Sequence, residues 1–250
     1  MAIPTPSRQP PENRSFQTTR WSMVLDAATS DGAPAARQAL EELCKIYWYP
    51  LYAFARRQGE TPDAAMDATQ SFFADLLEKS WINRADPAMG RFRSFLVTVF
   101  RRFLSDQRKR AAAIKRGGGV RTFSIDAAGA EERYQLDPVD SSSPSDAFER
   151  RWALALLDRV YLRLSEENSA KGRGAQFEVL QKYLTNADAP TYAVAAEQLQ
   201  ITENNVKVSV HRLRERYRQL LNEEVAQTVE SAADVPAELN SLLEALCRTG

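Results

Sequence analysis

Residues 191–221 read TYAVAAEQLQITENNVKVSVHRLRERYRQLL, which is the pattern of two helices joined by a tight turn. The first helix is predicted over residues 192–199 and the turn over 200–202. The second helix is predicted over 203–221, with Thr202 as its capping residue. Its apolar residues recur at intervals of three and four, so that one stripe is buried: Val206, Val210, Leu213, Tyr217 and Leu220. The pattern predicts a helix-turn-helix, although Gln200 stands where such turns usually carry glycine.

The opposite side of this second helix carries amide, hydroxyl and cationic side chains. These groups hydrogen-bond base edges and phosphates, so the helix is predicted to enter the DNA major groove. This side presents, to varying degrees, Asn204, Lys207, Ser209, His211, Arg212, Arg214 and Arg216. The candidate contacts are Asn204, Asn205, Lys207, Ser209, His211 and Arg212. Because His211 is the only histidine of the chain, we interpret it as a phosphate or base contact, or as a surface residue, and not as a metal ligand. An ordinary helical hairpin within a bundle is the alternative interpretation.

Charge is segregated along the chain, although its 33 basic and 33 acidic residues balance. Residues 84–116 contain ten Lys or Arg against two Asp, and residues 126–149 contain seven acids against one Arg. Residues 203–218 return to five basic against two acidic residues, and residues 222–250 contain six acids and one Arg. On a surface that only faces solvent, basic and acidic residues are interspersed. Their segregation here therefore predicts two basic patches that contact a polyanion.

The first basic patch lies on a helix predicted after Gly90. The spacing of its apolar residues turns one side inward: Phe92, Phe95, Leu96, Val99, Phe103 and Leu104. Arg101 and Arg108 are seven residues apart, as are Arg102 and Lys109, so each pair lies on one side of the helix, two turns apart. Arginine forks bind phosphates, and nearby aromatic rings can stack on unpaired bases. A solvated face above a phenylalanine core is the alternative.

The other patterned segments also predict helices, so the predicted fold class is all-α. Apolar residues recur at helical spacing from Leu40 to Phe54, where Pro50 is expected to kink or divide the helix. Thr61-Pro62-Asp63 is a typical helix start, with a capping hydroxyl, a proline in the first turn and an acid favoured by the helix dipole. Residues 117–145 contain Gly and Ser runs without a lasting apolar period, which predicts a linker.

Length and composition exclude several classes of protein. With 250 residues and 44% hydrophobic content, the chain can form one large or two small domains. It lacks both a membrane-spanning stretch of roughly 20 apolar residues and a secretory signal, so we expect a cytoplasmic protein. Cys44 and Cys247 lack metal-ligand spacing, and no paired-carboxylate or ligand constellation is evident. We therefore expect no enzymatic activity, no metal and no cofactor.

The order of these segments resembles that of a bacterial RNA polymerase sigma factor of the extracytoplasmic-function (ECF) type, in the sigma-70 family. AAMDATQSFFADLL (64–77) is similar to the family's polymerase-binding helix, and FRSFLVTVFRRFLSDQRKR (92–110) to its promoter-melting, minus-ten region. The helix-turn-helix is similar to the minus-thirty-five reader. The resemblance implies two small helical domains, core RNA polymerase and promoter DNA as partners, and no small-molecule substrate. The segments it implies are a 1–35 extension, sigma region 2 (36–116), an acidic linker (117–147), sigma region 4 (148–222) and an acidic extension (223–250).

The resemblance also implies roles for individual residues. Those expected at the polymerase are Asp67, Gln70 and Phe73. Those expected at the minus-ten element are Arg101, Arg102, Phe103, Asp106, Arg108 and Lys109, with Arg102 where the family usually has asparagine. Those expected at the minus-thirty-five element include Lys207, Ser209, His211 and Arg212, with Ser209 in place of a usual arginine.

Regulation is a further expectation. Met66 and Ser71 occupy places where the family commonly has acids, so docking on a basic coiled coil would lose two favourable charges. We hypothesise that phosphorylation of Thr69 or Ser71 by a Ser/Thr kinase restores negative charge; weaker or hydrophobic docking is the alternative. An anti-sigma factor is the other regulatory partner that the family suggests. The tail 223–250 is expected to extend the core of the second domain, or else to shield a basic patch.

Two other functions are compatible with the same features. A stand-alone helix-turn-helix regulator would use its first domain for an effector or for dimerisation, and would bind its operator tightly without polymerase. A helical adaptor, or a soluble enzyme, would use the charge blocks for oligomerisation.

Overall fold

The computed structural model describes residues 34–78, 91–113, 128–136, 143–185, 189–229 and 231–247. Throughout these ranges the regular structure is helical and no strand occurs, which confirms the all-α fold class. None of the helices in the described ranges has the length and apolar character needed to cross a bilayer. The helices are α1 (Pro34–Arg57), α2 (Pro62–Glu78), α3 (Phe92–Ala113), α4 (Ala128–Gln135), α5 (Pro144–Ala170), α6 (Gly174–Leu180), α7 (Lys182–Thr185), α8 (Tyr192–Leu199), α9 (Glu203–Ala226) and α10 (Val235–Cys247).

Helix α1 is the centre of the first half of the structure. Apart from Tyr49, which is half-buried, every side chain of residues 46–55 is buried, and α2, α3, α4 and α5 pack around the helix. Pro50 lies inside α1, so the division of the helix, one of the two expected effects of this proline, does not occur. A proline removes one backbone hydrogen bond, and the burial of apolar side chains on all sides of α1 offsets that loss.

Helix α2 begins as its sequence predicts. Thr61 precedes the helix and its Oγ1 accepts a hydrogen bond from the backbone N–H of Ala64 at 3.3 Å. Aromatic rings then join α2 to α3: the ring centroid of Phe72 lies 4.9 Å from that of Phe100 and 5.5 Å from that of Phe103, both in edge-to-face geometry. These contacts place the first basic helix, α3, directly against α2.

A short helix, α4, forms inside the segment that the sequence predicts to be a linker. Glu131 of α4 accepts hydrogen bonds from Arg56 Nε at 2.9 Å and Arg56 Nη2 at 2.8 Å, and Tyr52 donates its hydroxyl to the same carboxylate. The hydrogen bond from Arg56 holds the pKa of Glu131 below its usual value. The linker prediction is therefore wrong for residues 128–135, because α1 supplies the partners that a structureless segment would lack.

Helix α5 belongs to both halves of the structure. Ser143 caps it, with its Oγ accepting from the N–H of Asp146 at 3.2 Å, and the helix continues for 27 residues, about 40 Å. It packs against α1, α9 and α10. The buried apolar residues from α1 through α10 form one contiguous cluster. The described residues thus share one core, in place of the two separate cores that the sequence analysis expects, because α5 buries side chains towards both halves.

Candidate nucleic-acid interface

Helices α8 and α9 form the predicted helix-turn-helix. The first helix and the turn have the predicted bounds, and α9 continues to Ala226, five residues beyond the predicted end. Gln200 adopts the left-handed conformation (φ 53°, ψ 42°) that glycine usually provides at a helix end. Thr202 caps α9, since its Oγ1 accepts from the N–H of Asn205 at 3.3 Å. A non-glycine residue in this conformation costs about 1 kcal/mol, which packing of the two helices offsets.

The apolar stripe of α9 is buried, as predicted, and α9 packs against α8 and also against α5. Val206, Val210, Leu213 and Leu220 are buried, and Tyr217 is half-buried. Small residues of α8, Ala195 and Ala196, are buried on the other side of the contact. The stripe therefore holds α9 in place by its back and leaves the opposite face to solvent.

The exposed face of α9 contains the predicted contact residues. Asn204, Asn205, Lys207, His211 and Arg212 are exposed, and Ser209 lies half-exposed at the edge of the face. The Lys207 ammonium lies 5.7 Å from the ring centroid of Tyr192, at the start of α8. These residues could reach base edges and phosphates from one helix face.

Val208 is a member of this face that the sequence analysis missed. Its side chain is 40% exposed, and residues 204, 208, 211 and 212 lie on one side of the helix because their spacings are three and four. Val208 stands between Val206 and Val210, which are buried, so the sequence does not distinguish this exposed apolar side chain from core residues. A methyl-bearing side chain here could contact the methyl group of thymine.

Arg214 and Arg216, which the sequence places on the polar side of α9, instead contact other helices. Arg214 donates from Nη2 to the carbonyl oxygen of Tyr183 at 2.7 Å and from Nε at 3.1 Å. Arg216 pairs with Glu167 of α5. The basic character of α9 thus divides between an exposed face and anchoring contacts to α5 and α7.

The predicted minus-ten residues lie on the surface of α3. Arg101, Arg102, Asp106, Arg108 and Lys109 are exposed, whereas Phe103 is half-buried against Phe72 and Phe100. Phe103 therefore offers at most one edge to a base, because its ring belongs to the contact between α2 and α3.

Two arginines of this face have partners within the chain. Arg108 donates from Nε to Glu60 Oε1 at 2.6 Å and from Nη2 to the carbonyl oxygen of Gln58 at 2.9 Å. Arg101 donates to Ser145 Oγ at 2.9 Å, and its guanidinium lies 5.7 Å from the ring centroid of Phe54. Both are exposed, so a phosphate can replace these exposed contacts at small cost.

The predicted polymerase contacts on α2 do not share one exposed surface. Asp67 is exposed, but Gln70 and Phe73 are 8% and 4% exposed. Neither side chain is therefore placed for direct contact in the folded chain, and their role in docking stays a prediction. Both positions border the apolar stripe through Phe72 and Leu76, so the helical repeat turns them inward.

The two candidate phosphorylation sites differ sharply in exposure. Thr69 is fully buried, and its Oγ1 donates to the carbonyl oxygen of Ala65 at 2.7 Å. A kinase cannot reach this hydroxyl while α2 is folded, so the expectation for Thr69 is wrong for the folded chain. Ser71 is half-exposed and stays a candidate.

A buried cluster of charged residues at the start of α3 was not foreseen from the sequence. Arg93 donates from Nε to Glu149 Oε2 at 2.5 Å and pairs with Glu238, and its guanidinium lies 4.2 Å from the ring centroid of Trp152. Burial lowers the pKa of Arg93, and the Glu149 carboxylate opposes that shift. The partners of Arg93 lie on α5 and α10, 56 or more positions from it in the sequence, so local pattern carries no signal for these contacts.

Comparison of the chain with family models, with curated proteins and with solved structures gives no match. The function is therefore inferred from the residues and their arrangement.

Proposed function

We propose that this chain is an RNA polymerase sigma factor of the ECF type, a cytoplasmic subunit that performs no bond chemistry. In this proposal α9 reads the minus-thirty-five element in the major groove, and the exposed face of α3 binds the minus-ten element. Asp67 and the surface of α2 around it dock on core polymerase. A kinase acting on Ser71, or an anti-sigma factor, regulates the docking.

The observation that carries this proposal is the capped helix-turn-helix, α8–α9, with a buried apolar back and an exposed polar face. A recognition helix needs this division, because the partner helix must fix its orientation while its tips reach the bases. The second exposed basic face, on α3, supports the inference that the chain contacts a polyanion at two places.

A stand-alone helix-turn-helix regulator is the second candidate, and the shared core favours it. A sigma factor reads two separated promoter elements, whereas a regulator needs only one recognition helix on a rigid body. The continuous packing of α5 against both halves suits the regulator. A helical adaptor gains no comparable support.

In vitro transcription separates these candidates. The purified chain is combined with core polymerase and genomic DNA, and transcript starts are mapped. The sigma proposal expects discrete starts that disappear in the double variant Lys207→Ala/Arg212→Ala. The matched control is Lys171→Ala, since Lys171 is an exposed cation at the end of α5, outside both faces.

The possible results distinguish the sigma factor from the stand-alone regulator. Discrete starts that persist in the double variant contradict the role of α9. Failure of the chain to associate with core polymerase, together with sequence-specific DNA binding by the chain alone, establishes the regulator in place of the sigma factor.

A further inference from the structure

Lys207 lies at one edge of the exposed face of α9. The middle of that face is formed by four exposed residues whose spacings are three and four: Asn204, Val208, His211 and Arg212. Successive residues of a helix are rotated by about 100° around its axis, so Lys207 lies about 100° to one side of Val208. At this edge the Lys207 ammonium lies 5.7 Å from the ring centroid of Tyr192, the first residue of α8.

The ring of Tyr192 is itself held by a second tyrosine. It stacks on the ring of Tyr183 of α7, with the centroids 5.3 Å apart and the ring planes 6° from parallel. Tyr183 is buried, and its hydroxyl donates to the carbonyl oxygen of Pro190 at 2.7 Å, shortly before α8 begins. Because Tyr183 cannot turn without losing these contacts, the fold fixes the position of the Tyr192 ring beside Lys207.

A second contact joins the same edge of α9 to α7. Arg214 donates two hydrogen bonds to the carbonyl oxygen of Tyr183. Lys207 and Arg214 are seven residues apart, so they lie on the same side of α9, two turns from each other. This edge of the recognition helix is thus attached to its neighbours at two points, and the middle of the face lies beside it, open to solvent.

The edge and the middle of the face offer different chemistry to a duplex. In the major groove the middle of a recognition helix faces the base edges, whereas its edges lie beside the phosphates that line the groove. The ring attracts the ammonium electrostatically, which limits the rotamers of the long lysine side chain. A side chain that is already ordered loses less entropy on binding, and a lysine ammonium is a point charge that suits a phosphate.

We propose that Lys207 is a phosphate anchor that Tyr192 positions, and that the middle of the face reads the sequence. This inference rests on the proposed DNA binding by α9, and it applies to the sigma factor and to the stand-alone regulator alike. It assigns Lys207 to affinity and to the orientation of α9 on the duplex, and it assigns Tyr192, which contacts no base in this arrangement, to the preordering of Lys207.

Two duplexes of equal length test the anchor: one that the wild-type full chain selects from a random-sequence library, and one of mixed sequence. Lys207→Ala should weaken binding to both by the same factor, about five- to tenfold at 0.1 M salt. It should also reduce the slope of log affinity against log salt by about one. Arg212→Ala should weaken binding to the selected duplex more than to the mixed one. Lys171→Ala, which removes an exposed cation outside α9, is the control and should change neither affinity.

A double-mutant cycle tests the role of Tyr192. Tyr192→Leu should weaken binding to both duplexes about two- to fivefold, and Tyr192→Phe, which keeps the ring, should retain most of the affinity. When alanine already replaces Lys207, Tyr192→Leu should have no further effect. A purely structural role of the ring would weaken binding by the same factor with or without Lys207, so additive effects overturn the positioning role.

The contact between Tyr192 and Lys207 is also measured in the free chain by NMR. Lysine side chains are dimethylated with ¹³C, which keeps their charge, and the signal that is absent from Lys207→Ala identifies Lys207. The ring current of Tyr192 should shift this signal upfield. The shift should persist in Tyr192→Phe and vanish in Tyr192→Leu, and its absence from the wild type overturns the positioning role.

The outcomes separate the anchor from the proposed function. An altered sequence preference in Lys207→Ala, or an unchanged salt slope, overturns the anchor and keeps DNA binding by α9. Absence of duplex binding by the wild-type chain, both alone and with core polymerase, rejects the proposed function and the anchor with it. Lys207 is exposed, so Lys207→Ala tests the anchor even if Tyr192→Leu fails to fold. In that case the NMR shift in the wild type and in Tyr192→Phe decides the role of the ring.

Discussion

Arg216 of α9 and Glu167 of α5 form a bidentate pair, with Nη2 2.6 Å from Oε1 and Nε 2.8 Å from Oε2. Two parallel hydrogen bonds define the orientation of the guanidinium as well as its position. Glu223, two turns along α9, adds a contact at 3.3 Å to the same guanidinium. The pair therefore fixes the rotation of α9 about its own axis, and so determines which of its side chains face outward.

The Glu167 carboxylate makes stability depend on pH in a definite direction. Arg216 holds the pKa of Glu167 below its usual value of 4.5, so the stabilisation is present above that value and is lost as the pH falls through the folded-state pKa. We expect Glu167→Gln to lower the free energy of unfolding by about 1 kcal/mol at pH 7, after allowance for solvent screening. The difference from wild type should shrink below pH 4.5. Urea unfolding at several pH values measures it, with Glu166→Gln as the exposed control. A constant difference down to pH 3 would contradict the pairing.

The left-handed conformation of Gln200 predicts a stabilising substitution. Glycine adopts φ near 53° without the steric cost of a Cβ atom, so we expect Gln200→Gly to stabilise the chain by about 0.5–1 kcal/mol. Gln200→Ala keeps the Cβ and should bring no gain. Denaturant midpoints of the two variants and the wild type provide the measurement, and equal midpoints for glycine and alanine would show that the turn carries no strain.

The exposed position of Val208 predicts a preference for thymine. If α9 lies in the major groove, Val208→Ser should weaken binding to a selected duplex by about 1 kcal/mol, through loss of an apolar contact. The test replaces thymine by uracil at each position of the site, which removes one methyl group. At one position, uracil should weaken DNA binding by the wild type and leave DNA binding by Val208→Ser unchanged. Leu243→Ser, an exposed apolar residue of α10, is the control. Equal uracil effects in wild type and variant at every position would refute the contact.

Acidic substitutions on α2 separate the two candidate phosphorylation sites. Thr69→Glu places a carboxylate in the core and should destabilise the chain by about 3 kcal/mol or more. Because Ser71 is half-exposed, Ser71→Glu should change the free energy of unfolding by less than about 0.5 kcal/mol. Under the phosphorylation hypothesis Ser71→Glu also binds core polymerase more tightly, whereas Ser71→Gln does not. Titration against core polymerase measures this, and binding of Ser71→Glu no tighter than wild type would count against the hypothesis.

Local features of the fold were predictable from the sequence. Caps, turns and apolar spacing involve residues within a few positions of each other, and for this reason Thr61, Thr202 and the turn at Gln200 lie where the sequence places them. The docking of α4 and the cluster around Arg93 were not predictable. They depend on pairs such as Arg56 with Glu131, 75 positions apart, which only the tertiary packing brings together.

The candidate site was predictable in part for the same reason. The exposed faces of α3 and α9 follow from helical periodicity, so most of their residues were identified. On α2 the motif positions were assigned by resemblance, although the apolar spacing through Phe72 and Leu76 already turns Gln70 and Thr69 towards the core. Val208 was missed because valine in a helix is normally interpreted as core.

Because α5 packs against both halves of the structure, the two halves cannot be exchanged independently during evolution. A gene truncated after residue 116 would encode α1 without α4 and α5, which pack against it, and Tyr52 would lose its ring contact with Tyr134 of α4. Recombination that exchanged the DNA-reading half between related genes would have to carry a compatible α5 with it. Mutations on either side of α5 are thus expected to be compensated on the other, and the chain should evolve as one unit.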